Sequence, residues 1–576
     1  MLSFETIYNS EPIVVFTNPS DATDARLSFE RERMGERIRT RLINQGSMPV
    51  RIHEIVFGDF EHHLPGQTKI YGEGFTHISL TAGTIANPED VGNYTDRDHY
   101  KLPAKEGATT VYWMLLLSPP DGGHLLLGFC TAFNYACKFH LTNEKIQIVL
   151  ECEDISIDPG ETWYLEDFVF LTGSDRAEIL DRFADYLREG FRPDVLPDKP
   201  PTGWCSWYCF GPGVTAENVR SNLDFISKNL SQLKYIQIDD GYQAAIGDWL
   251  ESGRAFGGNI KQVISEIRER GFEPAIWVAP FVAQEDSRLF REHPDWFVKD
   301  EAGNPLRSDR VTFGGWSSGP WYALDGTHPA VQSHFIKLFN TLRFEWGIKY
   351  FKLDACFWGA MHGCRRWDPK STRIRAYRMG MRAIQRGSDW TFLLAGNHPL
   401  WPSMGIFQAN RTSNDIGRSW DSFSETARQN LMRSWMNGKV WWNDPDCVVL
   451  TGDLTEDEFR FHTSAVYATG GSILSGDDLP TLSPDKLNIL RKLLPPTGRA
   501  AKFTDDSLQL GKIDFGDRKM VCLFNWTDHP KKLSAPLKHP SRLKDFWTEE
   551  DLGEHKTSIE LELPPHSARI LECRSE

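Results

Sequence analysis

Several things are scarce in these 576 residues, and each scarcity excludes something. Positive charge is the first: 64 Lys and Arg stand against 79 Asp and Glu, a formal charge of −15. Such a balance repels phosphate backbones and anionic lipid, so neither nucleic acid nor a membrane surface is an expected partner. No apolar run approaches the length of a bilayer span. The start, Met1-Leu2-Ser3-Phe4-Glu5-Thr6, lacks the basic-then-apolar order of a secretory signal, and a cytoplasmic protein is expected. The ten cysteines are scattered. Cys205 and Cys209 are four apart, with no second pair or His cluster to complete a zinc site, so reduced thiols are expected. Internal repeats and low-complexity tracts are missing as well.

What is present is an ordinary soluble composition with many aromatics. Hydrophobic residues make up 40% and charged residues 25%, and the length is too great for one core. The 20 Trp, 35 Phe and 15 Tyr suit flat apolar faces against sugar rings, although such side chains also fill cores.

Three rhythms divide the chain. Residues 1–192 alternate apolar and polar, as in Val50-Arg51-Ile52-His53-Glu54-Ile55-Val56 and Ile146-Gln147-Ile148-Val149-Leu150, with turn clusters between the runs. An antiparallel β-sandwich is expected, closed by a helix near 176–190. The proline-rich Pro193-Asp194-Val195-Leu196-Pro197-Asp198-Lys199-Pro200-Pro201 reads as a linker. From 193 to 498 strands alternate with helices. Strands are expected at 203–208, 234–238, 273–280, 350–354, 392–395, 406–409, 440–443 and 472–475. One helix has Thr215 as its N-cap and Val219, Leu223, Ile226 and Leu230 on one face; another starts at Pro329. Eight strands in this order over about 300 residues predict a (β/α)8 barrel. Residues 499–576 return to strands alone, a small C-terminal antiparallel β domain. The fold class is α/β, a TIM barrel between two β domains.

The chemistry is organised around Tyr350-Phe351-Lys352-Leu353-Asp354. Its unbroken apolar run reads as a buried strand, on which Lys352 and Asp354 point to one side. Inside a barrel that side is the interior, where a bare carboxylate is costly, so Lys352 is expected to pair with Asp354 and hold it ionised. Polar residues recur at the C-terminal strand ends, where barrel active sites lie. Asp239 and Asp240 close the second strand, Trp277 lies in the third, and Asn397 and His398 follow the fifth. Arg411 and Asp415 follow the sixth. Asn443, Asp444 and Asp446 follow the seventh and read as turn residues; Asp477 and Asp478, after the eighth, read as scaffold.

Carboxylates at so many strand ends serve two chemistries. Metal-assisted hydrolysis wants His beside Asp or Glu, and no His-x-His stands at a strand end, so neither metal nor other cofactor is expected. Glycoside hydrolysis wants one ionised carboxylate and another able to hold a proton. Asp354 beside Lys352 fits the first role. Asp415, four residues after Arg411, fits the second.

Together these segments resemble the retaining α-galactosidases of glycoside hydrolase family 36. The resemblance rests on Thr202-Gly203-Trp204-Cys205-Ser206-Trp207-Tyr208, Gln237-Ile238-Asp239-Asp240-Gly241-Tyr242 and Ile276-Trp277-Val278-Ala279-Pro280-Phe281. It continues through the Lys352–Asp354 strand, Arg411-Thr412-Ser413-Asn414-Asp415 and Asn443-Asp444-Pro445-Asp446-Cys447, in the family's order from about 200 to 480. It implies Asp354 as nucleophile and Asp415 as general acid/base. It further implies Asp239, Asp240, Lys352 and Arg411 on sugar hydroxyls and Trp277 on the sugar-facing wall. Two departures stand out. Lys69-Ile70-Tyr71-Gly72-Glu73-Gly74-Phe75 lacks the tryptophans the family places over the sugar. Leu394-Ala395-Gly396-Asn397-His398-Pro399 replaces a Cys-Gly step, and adds Asn397 to the expected sugar contacts. The implied function is exo-hydrolysis of a terminal α-galactoside, with a carbohydrate as the only expected partner. An N-acetylgalactosaminide or pentopyranoside, transfer as in raffinose synthase, and an inactive carbohydrate-binding protein are the alternatives.

Overall fold

The computed structural model of the chain describes residues 2–23, 25–193 and 196–575. Asp194 and Val195 of the expected linker, like Met1 and Glu576 at the outer bounds of the two β domains, lie outside the described residues. The centre is built on eight parallel strands: β1 (Thr202–Cys205), β2 (Tyr235–Ile238), β3 (Glu273–Val278), β4 (Tyr350–Leu353), β5 (Phe392–Ala395), β6 (Ala409–Arg411), β7 (Trp442–Asp444) and β8 (Ile473–Ser475). They hydrogen-bond in the order β7-β6-β5-β4-β3-β2-β1-β8. At the β7/β8 seam Ser472 N donates to Asn443 O at 2.8 Å and Val448 N to Leu474 O at 2.7 Å, so the ring nearly closes. This is the TIM barrel expected from the strand–helix alternation.

The helices begin and pack as their sequences dictate. Thr215 caps Ala216–Asn229 through a reciprocal bond with Asn218, and Val219, Leu223 and Ile226 are buried along one face. Pro329 opens Pro329–Asn340, where its missing N–H leaves no bond unmade, and Val331, Phe335 and Leu338 face inward.

Strand bounds differ from expectation where chemistry competes with hydrophobic pattern. β1 ends at Cys205 because Ser206 turns the chain into the short helix Trp207–Phe210, its N–H reaching back to Gln237 O. The apolar pair Ile406-Phe407 is buried but lies before β6, which consists of Ala409, Asn410 and Arg411. Likewise β7 holds Trp442, Asn443 and Asp444 rather than 440–443. Both strands carry polar side chains into the barrel, so their own periodicity is weak.

On the N-terminal side the β layers form one thirteen-stranded network of antiparallel pairs. Its longest pairing runs from Val50↔Ile157 to Glu61↔Lys145. The expected tryptophan-free segment holds the strand Lys69–Glu73, which is docked onto the barrel. Glu73 is fully buried against Arg433, whose guanidinium also takes the carbonyls of His77 and Thr412. Thr76 is tied to Asp96 by a 2.6 Å hydrogen bond, and Leu400 N donates to Phe75 O. Those links bring residues 76–78 and the helix Asp96–Tyr100 to the open end of the barrel. C-terminal to the barrel, strands between Lys502 and Ser575 form a six-stranded and a two-stranded antiparallel sheet.

Candidate active site

Asp354 stands directly beyond the end of β4, its own N–H held by Val278 O on β3. Three N–H donors fix its carboxylate. Trp277 Nε1 reaches Oδ2 at 3.1 Å; the Ala355 amide and Asn397 Nδ2 reach Oδ1 at 2.7 and 2.8 Å. Ala355 and Asn397 both adopt left-handed backbone, φ +51° and +42°, an arrangement that costs energy and is concentrated at functional sites. Gly396 lies so close that a Cβ there would come within 3.3 Å of the carboxylate carbon.

The expected Lys352–Asp354 pair is not the direct one. Lys352 reaches across the barrel to Asp239 Oδ2 at 2.9 Å, both side chains buried. Burial is the largest single influence and works against its charge, but Asp239, then Cys205 and Asp354, together raise the ammonium well above its usual range. Strand alternation puts Lys352 and Asp354 on one side, yet the lysine stem is long enough to pass Asp354 and meet the strand-end carboxylate two strands away. Asp239 also accepts from Gln237 Nε2 at 2.6 Å and stands 3.4 Å from the Cys205 sulfur.

Asp240 accepts from Gln243 Nε2 at 2.6 Å. Burial pushes its carboxyl up, Gln243 pulls it back in part, and the like charges of Asp239 and Asp354 add to the rise, leaving it at about 6 against the usual 3.8. The folded state therefore binds more protons than the unfolded chain between those values. Stability from this group is full below 3.8 and is lost as pH rises through about 6. Asp240→Asn is accordingly expected to stabilise the protein by about 3 kcal/mol at pH 8 and by almost nothing at pH 4. Equal differences in melting temperature at both pH values would contradict this origin.

Arg411, buried on β6, uses one nitrogen for two carboxylates: Nη2 lies 2.9 Å from Asp415 Oδ1 and 2.8 Å from Asp446 Oδ2. The Asp415 side chain is 66% exposed, whereas that of Asp446 is 3% exposed and also accepts from the Tyr208 hydroxyl and the Ile416 N–H. Crowding by the pocket walls pushes Asp415 up, but Arg411, followed by Lys352, holds it below the usual carboxylate range. The sequence expectation of a raised group is thus met by its neighbours instead. Burial lifts Asp446, and lifts Asp444 to about 6. Asp446, expected to be a turn residue, is a ligand of Arg411.

Asp354, Asp415, Asp239, Asp240, Trp277, Lys352 and Asn397 line one cavity of about 500 Å³; Arg411 lies behind it, through Asp415. Sequence reasoning missed much of the wall. His77, Ile78, Tyr94, His99 and Tyr100 come from the N-terminal layer, Trp207 from the turn after β1, and Phe313, Trp316 and Ser317 from the long loop after β3. Tyr94 and Trp316, 49% and 39% exposed, stand at the mouth. The only sequence signal for the N-terminal contribution was the departure at 69–75, directly before His77. His398 is fully buried, bonded to Ser403 and Asn410 and absent from the wall. Asp477 and Asp478 are scaffold, receiving donors from Leu450, Thr451, Arg418 and Asn222. Among the described residues no three His, Cys, Asp or Glu side chains are grouped to hold a metal, and no helix is long and apolar enough to cross a membrane.

A nearly closed barrel with carboxylates gathered at the strand ends defines a class, and comparison with known proteins agrees. The family model Melibiase matches residues 232–386, which include Asp239, Asp240, Trp277, Lys352 and Asp354. An α-galactosidase from Cyamopsis tetragonoloba is 22% identical over 413 residues, 67% of this chain and 88% of that one. The fold is shared with the GH36 α-galactosidase AgaA from Geobacillus stearothermophilus (TM-score 0.67, 13% identity, 96% and 82% of the two chains). It is shared too with a GH27 β-L-arabinopyranosidase of the same organism (TM-score 0.54, 17% identity, 67% and 98%). The chain is a glycoside hydrolase. Residues 232–386 are similar to the melibiase model, and the structural neighbours include both GH27 and GH36 enzymes, so the resemblance is not narrowed to GH36 alone.

Proposed function

We propose that the chain removes a terminal α-linked galactose from a small glycoside by double displacement. Asp354 attacks the anomeric carbon and forms a glycosyl-enzyme. Asp415 protonates the departing oxygen and later takes a proton from water. The observation that carries this reading is the contrast between two carboxylates on one cavity. Asp354 is immobilised by three N–H donors and, among the described residues, contacts no cation directly; Asp415 is exposed at the mouth on a single guanidinium. A nucleophile needs fixed orientation, and an acid/base needs access to both the aglycone and water. Sugar binding would cover Asp415, strip its water and raise its proton affinity, countering Arg411 at the moment a proton is required.

The remaining residues divide by what they can exchange. Asp239 and Asp240 supply acceptors for sugar hydroxyls, and Lys352, held by Asp239, supplies a donor from the floor. Trp277 and Asn397 act through Asp354 as well as lining the sugar. The relatives named α-galactosidase support galactose as the sugar. A panel of nitrophenyl α-glycosides, with the first product's anomer read by NMR, tests the whole reading. α-Galactose released first is the expected result, with the catalytic carboxyls about 5–5.5 Å apart. A β-sugar product would reject double displacement, and preference for an N-acetylated or pentose substrate would reject galactose. Transfer exceeding hydrolysis in water would reject a hydrolase.

A further inference from the structure

A second cavity, of about 630 Å³, lies where the helix Arg176–Phe191, the barrel stretch near 431–439 and the C-terminal sheet meet. It shares no lining residue with the carboxylate cavity. In a chain of net charge −15, its lining holds seven Lys and Arg against two Asp. Three of those cations are neutralised locally: Lys439 and Lys502 on Asp181, Lys519 on Asp514 at 3.5 Å. The other four, Arg176, Arg499, Lys512 and Lys538, have no carboxylate within ion-pairing distance among the described residues.

What those four do instead is informative. Arg499 and Lys512 donate to the backbone carbonyls of Asp514 and Pro536, at 2.7 and 2.9 Å. Arg176 lies over the Tyr71 ring, and its Nη2 is buried with no hydrogen-bond partner. Asp505 and Asp506 act on Arg176 only at longer reach, and Asp506 is already paired with Lys69. Burial, then Lys538 and Lys519 as like charges, pushes the Lys512 ammonium down. Gathering like charges around a concavity is unfavourable, and an anion would relieve it. The floor is apolar, with Leu180, Met432, Trp435, Phe503 and Ile513. A bare inorganic ion would leave that floor unmatched, and a neutral hydrophobe would leave the cations unmatched.

We propose that this cavity binds a small amphipathic organic anion, an apolar or aromatic body bearing a sulfonate, phosphate or carboxylate. The test titrates the full chain with 8-anilinonaphthalene-1-sulfonate and, in parallel, with uncharged N-phenyl-1-naphthylamine. One equivalent of the sulfonate is expected to bind with enhanced emission, at least tenfold more tightly than the neutral dye, and saturating galactose should not displace it. Lys512→Glu with Lys538→Glu should weaken it at least tenfold while melting temperature and glycoside hydrolysis stay unchanged. Should that pair disturb folding, Arg499→Gln is expected to weaken binding in the same direction. Equal affinity for the two dyes, displacement by galactose, or unaltered sulfonate binding in the folded variants would each overturn the proposal. Hydrolysis measured on the same samples keeps this result separate from the reading of the active site.

Discussion

Asp354→Asn is expected to lower kcat/KM by about four orders of magnitude or more while the melting temperature moves by only a few degrees. The amide is nearly the same shape, so the cavity and Gly396's close approach are preserved. What changes is chemistry. An amide oxygen is a poor nucleophile, and the amide NH2 must face either the Trp277 N–H or the Ala355 and Asn397 N–H groups, donor against donor. Shortening to Asp354→Gly opens space for a small external nucleophile. Azide added to that variant should restore turnover and give a β-glycosyl azide, because the missing carboxylate attacked from the β face. An Asp354→Asn variant that keeps most of its rate would remove Asp354 from the mechanism. An α-azide from the glycine variant would place attack on the wrong face.

The barrel was legible because eight short apolar runs alternated with capped helices, and Thr215 and Pro329 start their helices where their chemistry says they should. β5, wholly apolar, has the expected bounds 392–395, whereas β6 lies beyond the expected Ile406-Phe407. Hydrophobic periodicity reports which strands face packed surroundings, and β6 consists of Ala409, the His398 partner Asn410 and the carboxylate ligand Arg411, with no large apolar side chain. Lys352 faces the barrel interior as expected, but its partner is Asp239 rather than Asp354. Spacing of two residues favours Asp354, while the choice of Asp239 depends on strand order and side-chain length, neither of which is local. The same reason hides the N-terminal wall. His99 and Tyr100 reach the cavity from a layer some 250 residues before Asp354, through the buried Glu73–Arg433 pair and the Thr76–Asp96 bond.

Asp415→Ala should show a loss that depends on the leaving group, and this dependence distinguishes an acid/base from a binding residue. General acid catalysis contributes about 10²–10⁴-fold, and only where the departing oxygen needs a proton. An unactivated disaccharide should therefore lose close to that full factor. A dinitrophenyl glycoside should keep nearly its parental rate of glycosyl-enzyme formation and then stall, giving a burst of phenolate. Azide should relieve the stall by attacking the glycosyl-enzyme from the face vacated by water, yielding an α-glycosyl azide, the opposite anomer to that from Asp354→Gly. The alkaline limb of kcat should vanish too, since in the parent that limb records loss of the acid's proton in the substrate complex. Arg411 makes this limb sensitive: it holds Asp415 below the usual carboxylate range in the open cavity, so the proton must be retained by desolvation under the bound sugar. A uniform loss across leaving groups, with the alkaline limb intact, would reassign Asp415 to binding and leave the protonation step to another carboxyl of the cavity, of which Asp240 is the one shifted upward.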